Sequence, residues 1–436
     1  MGSPKDAETG TEGRTMSIEV QHAAADDNGS MHKGPISDTL YLDPVAERSY
    51  VRKLDMWLLP VLAIMGIVSL CQASVKNYAG ILTCRILIAC FQSGFFSGCI
   101  FYLTLFYKRD ELAFRTAIFY GTATIAGAFT GLISYGVFQI DSHLAGWKIL
   151  FLIEGAMTVI WGAVSFWLIP SGPADCKWLT PAEKEAARTR LMLDSTAVVN
   201  SKYSTKAGLK ALTDPIMWPF MLLCISYGVA TKSTGTFLPQ IVARLGYSTI
   251  KTNLYTVAPN LVGCIFTLCV TASSDRFQER TMHLCLGLSF TMVGYLMLAG
   301  LDPLKNPGPS YAGTFFLSMG TYIPSCLVHS WHNNIKTDEN SRAMVTGVMV
   351  GFSSVGTIIS AQLFRDEWAP KYTQALAGTG SFQGLAIIIT AGLGLYMRRE
   401  NKRRDRVMGV EAMKPGDVPM CDLKDGQKDI RFRYWT

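Results

Sequence analysis

Arg85 stands inside an apolar run. From Ile86 to Tyr107 there is no charged residue, and the stretch closes on Lys108, Arg109, Asp110, Glu111 and Arg115. A guanidinium at bilayer depth is costly unless it meets a partner or water, so Arg85 either serves an ion or substrate path or snorkels to the interface. Glu154, within FLIEGAM, is a candidate proton carrier or arginine partner. Its competing role is a buried hydrogen bond that holds helix packing. Lys232, within YGVATKSTGTF, can attract a carboxylate or snorkel. Gln92 and Ser93 either line a pathway or join helices through polar contacts. Asp275, Arg276 and Arg280 lie together in SSDRFQER, where a short loop of mixed charge suits a lock on helix ends, and hence a gate, better than direct contact with substrate. His329 and His332 titrate near neutral pH or simply sit at an interface. Asn333 and Asn334 can bind amides of a substrate or cap a helix. Phe95, Phe96, Tyr227 and Trp331 can stack on a flat ring or face lipid and core.

These residues need helices long enough to hold them in a bilayer. Of the 436 residues 49% are hydrophobic and 17% charged, with mean hydropathy +0.23. A soluble domain carries roughly 25% charged residues. The apolar residues cluster into ten runs, at 54–74, 80–107, 114–138, 147–169, 215–238, 253–272, 282–301, 310–331, 343–364 and 376–397. Each approaches the roughly 20 residues that a spanning helix requires, so an all-α polytopic membrane protein is expected. In the second run Ala89, Ser93, Gly94, Ser97 and Gly98 recur about every four residues, which predicts a small-residue face for close helix approach. Nine of the eleven cysteines lie inside apolar runs, which argues against a disulfide framework, and no metal-ligand spacing occurs.

Lys and Arg divide the connections into two sets. One set carries Lys108, Arg109 and Arg115; a cluster from Lys177 to Lys210; Arg276 and Arg280; Lys336 and Arg342; and a tail beginning Arg398, Arg399. The alternate connections carry only Lys76, Lys148, Arg244, Lys251, Lys305, Arg365 and Lys371. The richer set is expected on the cytoplasmic side, together with both termini, and ten spans satisfy that parity. The net charge of +7 therefore belongs to membrane topology and needs no nucleic acid. Residues 1–43 are polar and lack the apolar core of a signal peptide, so a disordered cytoplasmic tail is expected there. The longest internal connection, 170–214, contains WLTPAEKEAARTRL, with Thr180 as N-cap and Pro181 in the first turn of a short helix.

Four runs precede this basic loop and six follow it. That layout, with RILIACFQSG (85–94) and SSDRFQER (273–280), resembles the major facilitator superfamily, whose halves are repeats of six spans. Within it the chain is similar to the fungal anion:cation symporters, which include allantoate, nicotinate, biotin and pantothenate permeases. The matching stretches are VKNYAGILTCRILIACFQSGFFSGCIFYLTLFYKRDELAFR (75–115), AGWKILFLIEG (145–155), KWLTPAEK (177–184), FLPQIVARLGY (237–247) and SWHNNIKTDENSRAMVTGVMVGFSSVG (330–356). Gln92 stands where the family usually has Glu, Ser97 where it has Pro, and Ser353 and Ser354 where Gly-Asn is common.

RKLDMWLLPVLAI (52–64) resembles the start of the family's first span, and MGIVSLCQASVKNYAG (65–80) the end of its third. About two spans of the first half are therefore expected to be missing at Ile64–Met65. A short form and a mis-spliced gene both fit that join. The resemblance implies a truncated N-terminal bundle (44–169), a cytoplasmic central loop (170–214), a C-terminal six-helix bundle (215–397) and a basic cytoplasmic tail (398–436). It implies proton symport of a small organic anion by alternating access, in a monomer of the plasma membrane. Arg85, Gln92, Glu154, Lys232 and Asn333 are the substrate or coupling candidates, and Asp275, Arg276 and Arg280 the gating loop. The expected partners are the anionic substrate, protons and the lipid bilayer. No cofactor is expected. With no P-loop, HExxH or GxSxG pattern, ATP-driven transport and membrane enzymology are disfavoured. The other class is a non-transporting sensor or degenerate transporter.

Overall fold

A computed structural model describes residues 70–104, 106–107, 112–140, 143–168, 176, 179–184, 187, 205–336, 339–369, 371–415, 417–418 and 426–436. All belong to one unit, Asp55–Thr436. The described chain is helical: α1 (Tyr78–Thr104), α2 (Leu112–Val137), α3 (Gly146–Leu168), α4 (Thr205–Leu212), α5 (Met217–Ala243), α6 (Thr249–Phe277), α7 (Thr281–Gly300), α8 (Pro307–Thr321), α9 (Ile323–Ile335), α10 (Glu339–Leu363) and α11 (Thr373–Met408). Nine of the ten apolar runs fall on these helices. The first run, with the Ile64–Met65 join, lies outside the described residues apart from 70–74, as do the tail 1–43 and most of 170–204. Five of the described helices are long and apolar enough to cross a membrane: segments Gly146–Ser165, Lys251–Phe277, Thr281–Gly300, Ser341–Leu363 and Thr373–Met408. Ile160, Trp161, Ile265, Ile358 and Ile388 stand exposed on these helices. In water that would be unfavourable; against acyl chains it is the expected outer surface.

Two runs depart from their expected form. The run 310–331 is two helices, because the chain turns at Tyr322 (φ −96°, ψ −13°) and Pro324 follows in the first turn of α9. Proline has no N–H to continue the preceding ladder, so the break falls there. The run 376–397 continues as α11 for 36 residues to Met408 and ends where Gly409 adopts φ +67°. Its charged extension is stitched by Arg403 and Arg404 to Glu400 at i,i+3 and i,i+4. In the central loop Thr180 does cap its helix. Its hydroxyl oxygen accepts from the Glu183 N–H, and the Glu183 carboxylate accepts from the Thr180 N–H, a reciprocal capping box.

α2 packs along α6, α5 along α10, and α7 against both α8 and α11. The α5–α10 seam is built on glycine. A side chain at Gly228 would collide with the Ser353 carbonyl, and one at Gly356 with the backbone of Gly228–Val229. The small-residue face expected on α1 involves Ser93, Gly94 and Ser97, whose side chains lie outside the described set. The main buried core joins Phe220, Leu223 and Tyr227 of α5 to Leu284 and Leu288 of α7 and to Leu327 and Trp331 of α9.

Connections of the Lys/Arg-rich set meet one another at one end of the helices. The Phe114 N–H at the start of α2 donates to Asp275 at the end of α6 (2.8 Å). Lys336 after α9 donates to Asp214 before α5 (2.7 Å), and Arg398 of α11 to Glu279 (2.9 Å). At the opposite end Arg244 donates to the Leu298 carbonyl, and the Tyr311 hydroxyl donates to the Tyr255 main-chain carbonyl.

Candidate functional site

A tight cluster of charge lies where α6 turns into α7. Gln278 takes the left-handed conformation (φ +53°), and the N–H groups of Gln278 and Glu279 return to the carbonyls of Asp275 and Ser274. This closes α6 in one tight turn without glycine. The turn presents Asp275 and Arg280 to each other at 2.5 Å, with the arginine side chain fully buried. Arg280 also donates to the Ser274 hydroxyl (3.0 Å), and its guanidinium lies 4.9 Å from the Trp435 ring. Asp275 spends its second oxygen on the Phe114 N–H of α2. One carboxylate therefore ties α2, α6 and the start of α7 together. Glu279 caps α7 by accepting from the Met282 N–H and also meets His283 and Arg398. Of the three expected gate residues, Asp275 and Arg280 are brought together. Arg276 points outward and is exposed.

The intramembrane candidates lie apart from this cluster and do not converge on one cavity. Arg85 is exposed on α1. It sits 5.8 Å from the Phe151 ring and lines a cleft of about 190 Å³ with Gln72, Ile81, Trp147 and Phe151. Glu154 is half-buried on α3 and bonded to Thr130 of α2. Among the described residues no ion pair joins it to Arg85. Gln92 and Lys232 are both exposed. Beside Lys232, Thr231 donates to carbonyls of Tyr227 and Thr321, and Ser233 bonds Ser360 of α10 (2.8 Å).

Two sequence readings are corrected on α9. His329 and His332 are not interfacial. They are 2% and 0% exposed, with His329 Nδ1 3.1 Å from His332 Nε2 and His329 Nε2 3.3 Å from the Tyr227 hydroxyl. The helix break at Tyr322 sets this register and turns SWHNN wholly inward. Asn333 does not cap. Its Oδ1 accepts from Thr346 of α10 (2.9 Å), so it joins two helices. Its amide nitrogen and both polar atoms of Asn334 are buried without a hydrogen-bond partner among the described residues.

Sequence reasoning also missed the segment 426–436, expected as part of a plain basic tail. Phe432, Tyr434 and Trp435 are buried, and the Trp331 indole donates to the Trp435 carbonyl (2.8 Å). The signal was present in FRYWT, whose aromatics alternate with arginine after a long polar stretch. Outside the spans, burial alone would raise the Asp214 carboxyl. Hydrogen bonds from Lys336 and Gln427, and the lysine's charge, outweigh that and hold it below its ordinary range.

Residues 41–361 match the Major Facilitator Superfamily. The chain belongs to that family. It is 47% identical over 361 residues to the MFS-type transporter efuF of Hormonema carpetanum, covering 83% of this chain and 73% of that one. It is 45% identical over 379 residues to the major facilitator-type transporter hxnP of Emericella nidulans, covering 86% and 76%. The high-affinity nicotinic acid transporter of Saccharomyces cerevisiae is 25% identical over 375 residues, covering 86% of this chain and 69% of that one. The major facilitator fold itself is matched by the proton:xylose symporter XylE, with TM-score 0.57 at 14% identity over 78% of this chain and 79% of that one. The fucose:proton symporter FucP of E. coli gives 0.56 at 15% identity over 80% and 85%. Membership makes this chain a multi-pass membrane transporter rather than an enzyme, and its relatives are fungal, as the resemblance implied.

Proposed function

We propose that this major facilitator protein moves a small organic anion across the plasma membrane together with protons, by alternating access. The observation that carries the reading is the alignment with a nicotinic acid transporter over 86% of the chain. That solute is a planar carboxylate at neutral pH, and Arg85 and Lys232 supply cationic side chains on the apolar helices α1 and α5. Glu154 is the proposed proton carrier, and Gln92 and Asn333 supply polar contacts. In this reading residues 44–169 and 215–397 act as two bundles that rock about a midplane site, joined by the cytoplasmic loop 170–214 and working as a monomer. Asp275 and Arg280 close the gate on the loop side, and Arg276 serves the same loop from its outer surface.

The test is uptake of radiolabelled nicotinate, and of a panel of small carboxylates, by cells that express the chain at their surface. Saturable uptake abolished by a protonophore is the expected result. No uptake of any carboxylate above background rejects the reading.

A second reading has one observation in its favour. Arg85, Gln92 and Lys232 are exposed rather than gathered around a cavity, as a first half short of two spans would leave them. Polar groups left facing hydrocarbon cost several kcal/mol each, roughly 2–7 in an apolar medium. A weakly active or non-transporting form follows. Inserting the roughly 65 residues that a usual six-span half would carry, about two spans with their loops, is then expected to restore uptake. Equal rates from the short and the restored forms would reject this second reading.

A further inference from the structure

We infer that the segment 426–436 is a positioning element of the gate, with Trp435 and Thr436 holding Arg280 against Asp275. This rests on the gate reading of the α6–α7 turn. The segment is strapped to the charge-rich end of the bundle at several places. Arg404 of α11 donates to main-chain oxygens of Gln427, Asp429 and Phe432. Asn401 and Tyr434 exchange a reciprocal pair, side-chain amide to Tyr434 carbonyl (2.8 Å) and Tyr434 N–H to Asn401 Oδ1 (2.9 Å). Arg433, 3% exposed, pairs with Asp405, and Gln427 hydrogen-bonds Asp214. These contacts come from α11 and the loop before α5, and they aim the last two residues at the turn.

There the segment meets the gate itself. The Arg280 N–H donates to the main-chain oxygen of Thr436 (2.8 Å), and the Trp435 ring lies 4.9 Å from the Arg280 guanidinium. Arg280 is a buried cation whose ion-pair partner is Asp275, and a desolvated guanidinium over an aromatic face is held by the ring's negative quadrupole. The backbone bond fixes where the residue starts, and the ring covers one side of its end. Together with the Ser274 hydroxyl they hold the guanidinium where it meets Asp275. Asp275 then holds the Phe114 N–H of α2. Removal of the segment is therefore transmitted from Trp435 through Arg280 and Asp275 to α2. Opening of the gate requires the segment to release or to move with α7.

Hydrogen–deuterium exchange on the full chain in nanodiscs tests this without any substrate, so its failure is distinct from a failure of the transport reading. Trp435→Ala is expected to raise exchange at least fivefold in peptides covering 274–281 and also 112–117. Trp435→Phe, which keeps a ring face, is expected to restore most of that protection. Asp405→Ala, which frees Arg433 at the other end of the strap, is expected to give the same pattern more weakly. If Trp435→Ala deprotects 401–408 and 326–336 but leaves 112–117 as in the parent chain, the segment is only a packed tail and the inference is overturned. Unchanged exchange throughout also overturns it. Should Trp435→Ala lose protection over the whole chain, Trp435→Leu decides on the same peptides. It keeps apolar packing without a ring face, and protection of 112–117 equal to that of Trp435→Phe sinks the proposal.

Discussion

Asp214 and Lys336 are 122 residues apart in sequence and 2.7 Å apart in space, and Gln427 closes on the same carboxylate oxygen. The start of α5, the end of α9 and the segment 426–436 thus meet at one partly buried carboxylate. Loss of that charge would loosen all three.

The Asp214 carboxyl is held below its ordinary value near 3.8. A depressed folded value means that the unfolded chain binds the proton more readily. The stabilisation is then fully present above about pH 4 and is lost as pH falls through the lower folded value. Thermal midpoints measured from pH 6 down to pH 3 are expected to fall less steeply below pH 4 in Asp214→Asn than in the parent chain. Identical acid limbs would reject the linkage.

Asp275→Asn leaves Arg280 buried with its ion-pair partner neutralised. Breaking a buried pair from one side costs about 3–5 kcal/mol. A large fall in thermal midpoint is expected, whereas Arg276→Gln, at an exposed position, is expected to stay within about 0.5 kcal/mol of the parent chain. Equal effects of the two substitutions would contradict the geometry.

Gly228→Ala puts a methyl group against the Ser353 carbonyl of α10. Overpacking of this kind costs about 1–3 kcal/mol. Gly351→Ala, on the same helix pair but with nothing near its Cβ, is the control and is expected to be neutral or mildly stabilising. Thermal unfolding in detergent distinguishes them.

If Arg85 and Lys232 give the anion site its positive potential, Arg85→Gln and Lys232→Gln are each expected to reduce anion uptake about ten- to hundredfold. That is the loss of one charged hydrogen bond of about 1.5–3 kcal/mol. Surface expression is expected to persist. Uptake unchanged in both variants would remove them from the site.

On the Lys/Arg asymmetry, a cytoplasmic side for the α6–α7 turn, residue 2 and the segment after α11 is the orientation to be tested. Epitope tags at residue 2, in the loop 170–214 and after Thr436 are expected to stain only in permeabilised cells. Staining of the central loop in intact cells would overturn that orientation.

The sequence by itself determined the class of this protein. Apolar runs of spanning length have one low-energy solution in a bilayer, a helix that satisfies its own backbone, and the resemblance across 75–115 and 330–356 already named the superfamily. It also determined which connections share an end, because Lys and Arg counts are local and need no partner. The pairing of Asp275 with Arg280 was half legible, since a five-residue spacing across a short turn brings both to one place. What only the tertiary structure decided is long-range. The run 310–331 reads as one helix; the break at Tyr322 and the packing of α9 against Tyr227 of α5 are what turn His329 and His332 inward. Asn333 resembled a cap until Thr346 supplied a partner on another helix. FRYWT resembled a loose basic tail because the contacts that order it come from Arg280, Trp331 and Arg404, each far away in the chain. Periodicity records how one segment meets a solvent. It holds no record of which distant side chain completes a buried charge.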